Sequence, residues 1–404
     1  MSAILTSSSE APGRLYAAGP GRLDAFIPSP CVQNHAANIM PLPGGDLGCV
    51  WFGGTQEGMA DISVWFSRLP AGSDTWTPAE KLSDDPARSE QNPILFPTPT
   101  GELWLIWTAQ KSGNQDTAFV RRRISTDNGR SWGLIETLFE PREGSGTFVR
   151  QPPVVRPDGA WLLPIYHCHG SPGRKWIGDD DTSAVRISPD GGRTWREVAV
   201  PDSIGAVHMN IVPLDDGTLL ALYRSRWADR IYESRSTDGG ETWSAPVATV
   251  LPNNNSSIQA TALANGHVAL IFNDINADGV TERRASLYDE IEDEAPAAGA
   301  AAAAAEPPPT EQPSGKRTSF WGVPRAPMTL AISPDGGRTW PWKRNVEIGD
   351  GYAMSNNSRE KTNRELSYPS IKQGPDGALH LAFTFHRQAI KYVRVSEDWV
   401  RAGG

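Results

Sequence analysis

Cysteine is nearly absent: the 404 residues hold three, Cys31, Cys49 and Cys168. An odd number without ligand-like spacing argues against a disulfide framework and a thiolate metal centre, so neither metal nor cofactor is expected. Positive charge is also in short supply. Lys and Arg number 38 against 47 Asp and Glu, a net charge of −9, which leaves no basic surplus to hold a nucleic acid or another polyanion. No apolar run approaches the about 18 residues of a membrane-spanning helix. The opening stretch, Met1 to Glu10, lacks the basic and apolar regions of an export leader. The expectation is a cytoplasmic protein with neither nucleic-acid nor membrane partner.

Turns and aromatics are what the chain has instead. Its 39 Gly, 34 Pro and 15 Trp are the composition of many short strands joined by tight turns. One turn recurs almost unchanged: Ser333-Pro334-Asp335-Gly336-Gly337-Arg338-Thr339-Trp340, with copies at Ser125 to Trp132, Ser188 to Trp195 and Ser236 to Trp243. In it Ser and Asp side chains can bond nearby backbone N–H groups, Gly supplies positive φ and the closing Trp packs beneath. Each copy follows a β-like run, such as Phe119 to Ile124 or Met328 to Ile332, so each turn links two antiparallel strands of a repeated sheet. Degenerate copies run from Ser67 to Trp76 and from Ser396 to Trp399. A second set of turns, around Gly44, Gly101, Gly159, Gly217, Gly266 and Gly377, marks one hairpin per unit and gives six units.

Residues 1–30 read as an N-terminal lead-in and 31–404 as one domain. The interval from Ser236 to Ser333 is too long for one unit. It contains an Ala- and Pro-rich stretch, about Glu290 to Lys316, which reads as a flexible surface insertion because such a composition cannot bury a core.

The octapeptide is similar to the Asp-box of sialidases and related proteins. That resemblance implies an all-β fold, a six-bladed β-propeller with Asp-box turns on its rim, where the box Asp residues are structural. In such a fold the innermost strand of each blade lines a central channel, so polar residues inside apolar first strands become candidates. They are Asn34 and His35, Asn92, Arg150, His208 with Asn210, Asn253 to Ser257, and Tyr368, one set per unit.

Over roughly residues 33 to 394 the chain resembles the sialidase superfamily at single positions. Tyr368, in Leu366-Ser367-Tyr368-Pro369, is similar to the segment carrying the family's nucleophilic tyrosine. Arg224 and Arg325 resemble two arginines of its carboxylate-binding triad. Asn92-Pro93 resembles the Asn-Pro after the acid/base loop, and within Gly53 to Asp61 the resemblance implies Glu57, then Asp61, as the acid/base. Two positions depart from the pattern. His35 stands where the first arginine is expected, and His208 stands where a glutamate should activate the tyrosine. Arg387 follows the last apolar strand and reads equally as a channel or a surface residue.

These residues permit two mechanisms. In a sialidase-like exo-acting hydrolase, Arg224 and Arg325 hold the carboxylate of a terminal acidic sugar, Tyr368 attacks the anomeric carbon and Glu57 protonates the leaving oxygen, with His208 or Glu365 as the base beside Tyr368. In a lyase the same arginines acidify the C–H next to a uronate carboxylate, His208 or His35 removes the proton, and Tyr368 protonates the leaving group. A third reading is a carbohydrate-binding propeller without turnover. The run Tyr166-His167-Cys168-His169 lacks further ligands in sequence and reads as non-metal, and Asp179-Asp180-Asp181 reads as a solvated turn.

Overall fold

The computed structural model describes residues 11–170, 176–291 and 316–403. Their strands run in chain order. The first pair is β1 (Tyr16–Gly19) and β2 (Arg22–Ile27), followed by β3 (Gln33–Pro41), β4 (Leu47–Gly54), β5 (Ser63–Leu69) and β6 (Glu80–Lys81). Next come β7 (Ser89–Pro97), β8 (Leu103–Lys111), β9 (Asn114–Ser125) and β10 (Glu136–Phe139). Then follow β11 (Ser145–Val149), β12 (Val154–Val155), β13 (Trp161–His169), β14 (Thr182–Ser188) and β15 (Arg196–Ala199). A fourth set holds β16 (Ala206–Pro213), β17 (Leu219–Ser225), β18 (Arg230–Ser236) and β19 (Val247–Pro252). The last strands are β20 (Gln259–Ala262), β21 (Val268–Asn273), β22 (Met328–Ser333), β23 (Trp342–Glu347), β24 (Leu366–Gln373), β25 (Leu379–Phe385) and β26 (Ala389–Val395), before the short helix α1 (Glu397–Arg401).

These strands form six antiparallel sheets, the blades of a propeller. An apolar cluster fills each of the six junctions between neighbouring blades, for example Ile94, Phe96 and Trp104 against Trp161 and Leu163, and Leu263, Ile271 and Leu330 against Ile371 and Leu381. Burial between blades is therefore the main cohesive force. Polar side chains stitch the innermost strands together near the axis: Asn38 Oδ1 accepts from Leu95 N at 3.1 Å, Asn210 Oδ1 from Ala260 N at 2.5 Å and Gln259 Oε1 from Ile371 N at 2.6 Å.

The stretch read as a lead-in is part of the fold. β2 pairs with β26 from Leu23 opposite Arg394 to Ile27 opposite Ile390, and β1 pairs with β2, so residues 16–27 form the outer strands of the last blade. The pairing of β2 with β26 closes the ring. The second degenerate box, at Ser396, is instead the cap of α1, its side chain accepting from Trp399 N.

The four full boxes are built alike. In the one at Ser188, Gly192 N donates to Ser188 Oγ at 2.8 Å, and Thr194 donates to Asp190 from its N–H and its hydroxyl at 2.8 and 2.7 Å. The hydroxyl bonds of Thr194 and Thr242 draw Asp190 and Asp238 down to about 2. Arginines on a neighbouring blade hold box carbonyls: Arg68 donates to Asn128 O, Arg156 to Gly239 O and Arg235 to Gly336 O. Each box Asp is thus committed to its own turn. Trp243 and Trp340 are buried, whereas Trp132 and Trp195 are half-buried. Trp243→Ala should therefore cost about 3–5 kcal/mol, more than Trp195→Ala, while any activity per folded molecule stays constant. Urea unfolding with the two changes equally harmful would contradict this packing.

Most of the insertion, including its Ala run, lies outside the described residues. The residues that flank it are buried: Leu287, Tyr288 and Trp321 pack on Phe148, Tyr166, Trp176 and Val207 over the face where the candidate site lies.

Candidate active site at the channel mouth

The innermost strands β3, β7, β16 and β24 share a defect near their starts. Pairing with the second strand slips between His35 and Asn38, Gln91 and Ile94, Val207 and Asn210, and Ser367 and Ser370. At or beside each slip a non-glycine residue takes positive φ: Ala36 at 60°, Asn92 at 51°, His208 at 57° and Tyr368 at 48°. Asn255 does the same at 55° ahead of β20. A side chain in this region strains the backbone by about 1–3 kcal/mol, a cost that recurs where a site dictates side-chain direction. Such bulges re-aim side chains. Here they gather His35, His208 and Tyr368, whose rings lie 4.2 Å (His35 to Tyr368) and 5.6 Å (His208 to Tyr368) apart.

Arginines surround the phenol. Arg224, at the end of β17, donates from Nη1 to Tyr368 Oη at 2.6 Å and approaches His208 Nε2 at 3.3 Å. Its Nε donates to Asn255 Oδ1 at 2.8 Å. Nη2 of Arg224 is buried without a hydrogen-bond partner among the described residues. Arg325, just before β22, lies over the Tyr368 ring and donates to Glu365 Oε1 at 3.0 Å. Arg387, in the turn after β25, pairs with Glu57 at 2.7 Å and Glu365 at 3.1 Å and reaches His35 Nε2 at 3.5 Å. Positive charge beside His35 thus comes from the last blade.

The charge arrangement is uneven. Glu365 is gripped by Arg325 and Arg387 and by the Ser367 hydroxyl. Burial alone would raise this carboxyl, but the two arginines outweigh it and hold it well below the usual range. Glu57 is turned inward to Arg387, and Asp181 is bonded by Arg226 at 2.6 Å. Arg224 has no carboxylate partner among the described residues. Burial draws its guanidinium down to about 10, with Tyr368 acting in the opposite sense, so it stays charged at neutral pH. The aromatic face of Trp321 lies 5.6 Å from its guanidinium carbon.

Other sequence candidates take different places. Arg150 is buried and donates to the carbonyls of Ala37 and Tyr368, each at 3.0 Å, and to Ser257 Oγ at 3.1 Å, so it clamps the bulged backbone. Asn210 serves the stitching between blades. Asn92 is buried with Oδ1 unpartnered among the described residues. Asp61 is exposed and accepts from Thr55 N at 3.0 Å. His167 faces Glu197 at 3.2 Å and His169 faces Thr182 at 2.9 Å. The triple Asp is not a solvated turn: Asp179 accepts from Ser319 N, Asp180 pairs with Lys316 and Asp181 with Arg226. Asn255 and Ser257 belong to the polar run Asn253 to Ser257 already singled out in the sequence, whereas Trp321 and the Arg226–Asp181 pair carried no motif.

Both histidines favour the neutral form, although Glu365, 3.6 Å from His35 Nδ1, acts in the opposite sense there. Burial first, and then Arg387 for His35 and Arg224 for His208, push them well below the ordinary histidine range. In the unfolded chain a histidine takes up a proton near about 6.5. As pH falls below that value the unfolded state binds protons that the folded state refuses, so stability declines. Glu365 adds a further loss in the same direction once pH drops below the unfolded carboxyl value, about 4.3. The urea midpoint should therefore fall steadily from about pH 7.5 to about pH 5. A flat or rising midpoint over that range would show that these rings are charged in the folded protein.

A six-bladed propeller with a buried arginine cluster around a bulged tyrosine defines the class of the molecule. Residues 45–381 match the BNR repeat-like domain, and the chain belongs to that family. By sequence alone no curated protein matches it. Its fold is similar to that of a Hadza microbial sialidase at 13% identity, with 92% of this chain and 67% of that one covered and a TM-score of 0.65. The NanB sialidase of Streptococcus pneumoniae is similar at 10% identity, 93% and 71% coverage and a TM-score of 0.64. The intramolecular trans-sialidase of Ruminococcus gnavus is similar at 13% identity, 91% and 95% coverage and a TM-score of 0.62. At such identities the likeness concerns the fold, a divergent sialidase-like propeller.

Proposed function

We propose that the protein is an exo-acting glycoside hydrolase on a terminal acidic sugar, sialic acid or a related one. The observation that carries this reading is Arg224: a buried, charged guanidinium with no carboxylate partner and a free Nη2 among the described residues, bonded to the Tyr368 phenol. A buried cation is costly unless paired, and a planar guanidinium suits a carboxylate bidentately. A substrate carboxylate supplies the missing charge and places its anomeric carbon beside Tyr368. Solved sialidases of the same fold are consistent with this substrate class.

The carboxylate draws the N–H groups of Arg224 to itself and leaves the phenol and His208 Nε2 to each other. His208 takes the phenol proton and the tyrosyl oxygen bonds to the anomeric carbon as the glycosidic C–O bond breaks. The leaving oxygen takes its proton from solvent, because Glu57, the acid/base the sequence resemblance implied, is turned inward to Arg387. Water then releases the sugar by the reverse sequence of proton transfers. A phenol nucleophile suits an anomeric centre that already bears a carboxylate, since the neutral attacker meets no charge repulsion. Arg325 and Arg387 fix Glu365 and add positive potential.

A second reading, elimination from a terminal uronate, is favoured by one feature: His208 is a neutral base held next to an arginine, as abstraction of a carboxylate-activated proton needs. A panel of sialosides and glucuronate-terminated oligosaccharides separates the readings. Free acidic sugar without ultraviolet absorbance supports hydrolysis. An absorbing unsaturated uronate, with a rate slowed by C–H deuteration, supports the lyase. Silence across the panel with retained sugar binding leaves a binding module.

A further inference from the structure

The hydrogen-bond roles around His208 are fixed by its neighbours. Nε2 lies 3.3 Å from Arg224 Nη1, and a guanidinium nitrogen can only donate. Nε2 therefore accepts and carries no hydrogen, which puts the ring proton on Nδ1. Nδ1 lies 3.0 Å from Ser257 Oγ, and the same oxygen accepts from Arg150 Nε at 3.1 Å. The opposite tautomer sets N–H against N–H at Arg224. So does the doubly protonated ring, which also adds a cation beside Arg224, Arg226, Arg150 and Arg325 with burial already opposing it. His35 repeats the pattern, with Nε2 toward Arg387 and Nδ1 toward Thr384 Oγ1 at 2.9 Å.

We propose that Ser257 is the positioning residue of His208: its hydroxyl, steadied by Arg150, accepts a hydrogen bond from Nδ1–H and so keeps the Nε2 lone pair aimed at Arg224. Its catalytic consequence rests on His208 acting as the base, whereas the tautomer assignment does not. Ser257 lies in the segment between β19 and β20, Arg150 just beyond β11 and His208 on β16, so three blades meet at one oxygen. Without that hydroxyl a buried N–H loses its acceptor, and the ring is free to exchange tautomers or flip.

The test is long-range ¹H–¹⁵N correlation on the full-length protein labelled at histidine. Seven histidines make the spectrum tractable, and His208→Gln assigns the signal. The wild type should show His208 protonated at Nδ1 and bare at Nε2. Ser257→Ala should shift the ring toward the other tautomer or a mixture, and Ser257→Thr should restore it. A wild-type ring protonated at Nε2, or a Ser257→Ala spectrum identical to wild type, overturns the proposal; if the Ala variant does not fold, the wild-type tautomer decides. On any sugar that the wild type turns over, Ser257→Ala should lower kcat about tenfold or more with KM near wild type. Absence of turnover in the wild type would sink the functional reading and leave the tautomer result standing.

Discussion

Tyr368→Phe is expected to lower kcat by about a thousandfold or more on an acidic sugar substrate while changing its binding little. The phenol oxygen is bonded to Arg224 at 2.6 Å, and in the proposed reaction it forms the bond to the anomeric carbon, so its loss removes the nucleophile and leaves the arginines in place. The ring itself stays packed among Ala36, Phe52 and Ile62, and the Phe variant should fold as the parent does. An unchanged kcat with the same substrate would remove Tyr368 from the chemistry. A large rise in KM with kcat untouched would make it a binding residue only.

Arg224→Lys comes next in size. Lysine keeps the charge but loses the planar fork, and its single nitrogen cannot serve Asn255, His208, Tyr368 and a carboxylate together. A charge-assisted hydrogen bond is worth about 1.5–3 kcal/mol, and losing one or two in a desolvated site corresponds to a drop of about ten- to a thousandfold in kcat/KM. Arg325→Lys should cost less, because Glu365 already occupies Arg325 and keeps Arg387 as a second partner. Equal losses in the two variants would mean that the unpaired guanidinium is not the carboxylate holder.

Much of the fold was legible because the information is local. The octapeptide repeats carry their own hydrogen bonds, Gly192 N donating to Ser188 and the Thr194 hydroxyl to Asp190, so a short window of sequence is enough to recognise them. The closing strands were not legible. Tyr16 to Gly19 is short, small and mostly exposed, and its neighbour β2 finds a partner only at the far end of the chain. The same distinction holds in the site. Tyr368, His208 and Arg224 stand out as polar residues in apolar strands, and the structure brings them together. The pairing of Arg387 with Glu57 spans most of the chain, and no spacing rule reports such a contact. The surface reading of the insertion came from composition, which describes its Ala and Pro run and is silent about Trp321 and Tyr288 at its flanks, both buried beside the site.

The role of Arg224 is most directly tested by the affinity of the protein for N-acetylneuraminic acid and glucuronic acid against their methyl esters, measured by calorimetry on wild type and Arg224→Lys. The esters keep the ring and hydroxyls and lose only the negative charge. The account predicts that esterification weakens binding to the wild type about tenfold or more for at least one of the two sugars, and that the penalty shrinks markedly in Arg224→Lys. Acid and ester bound equally well by the wild type, or an ester penalty unchanged in the variant, would contradict it.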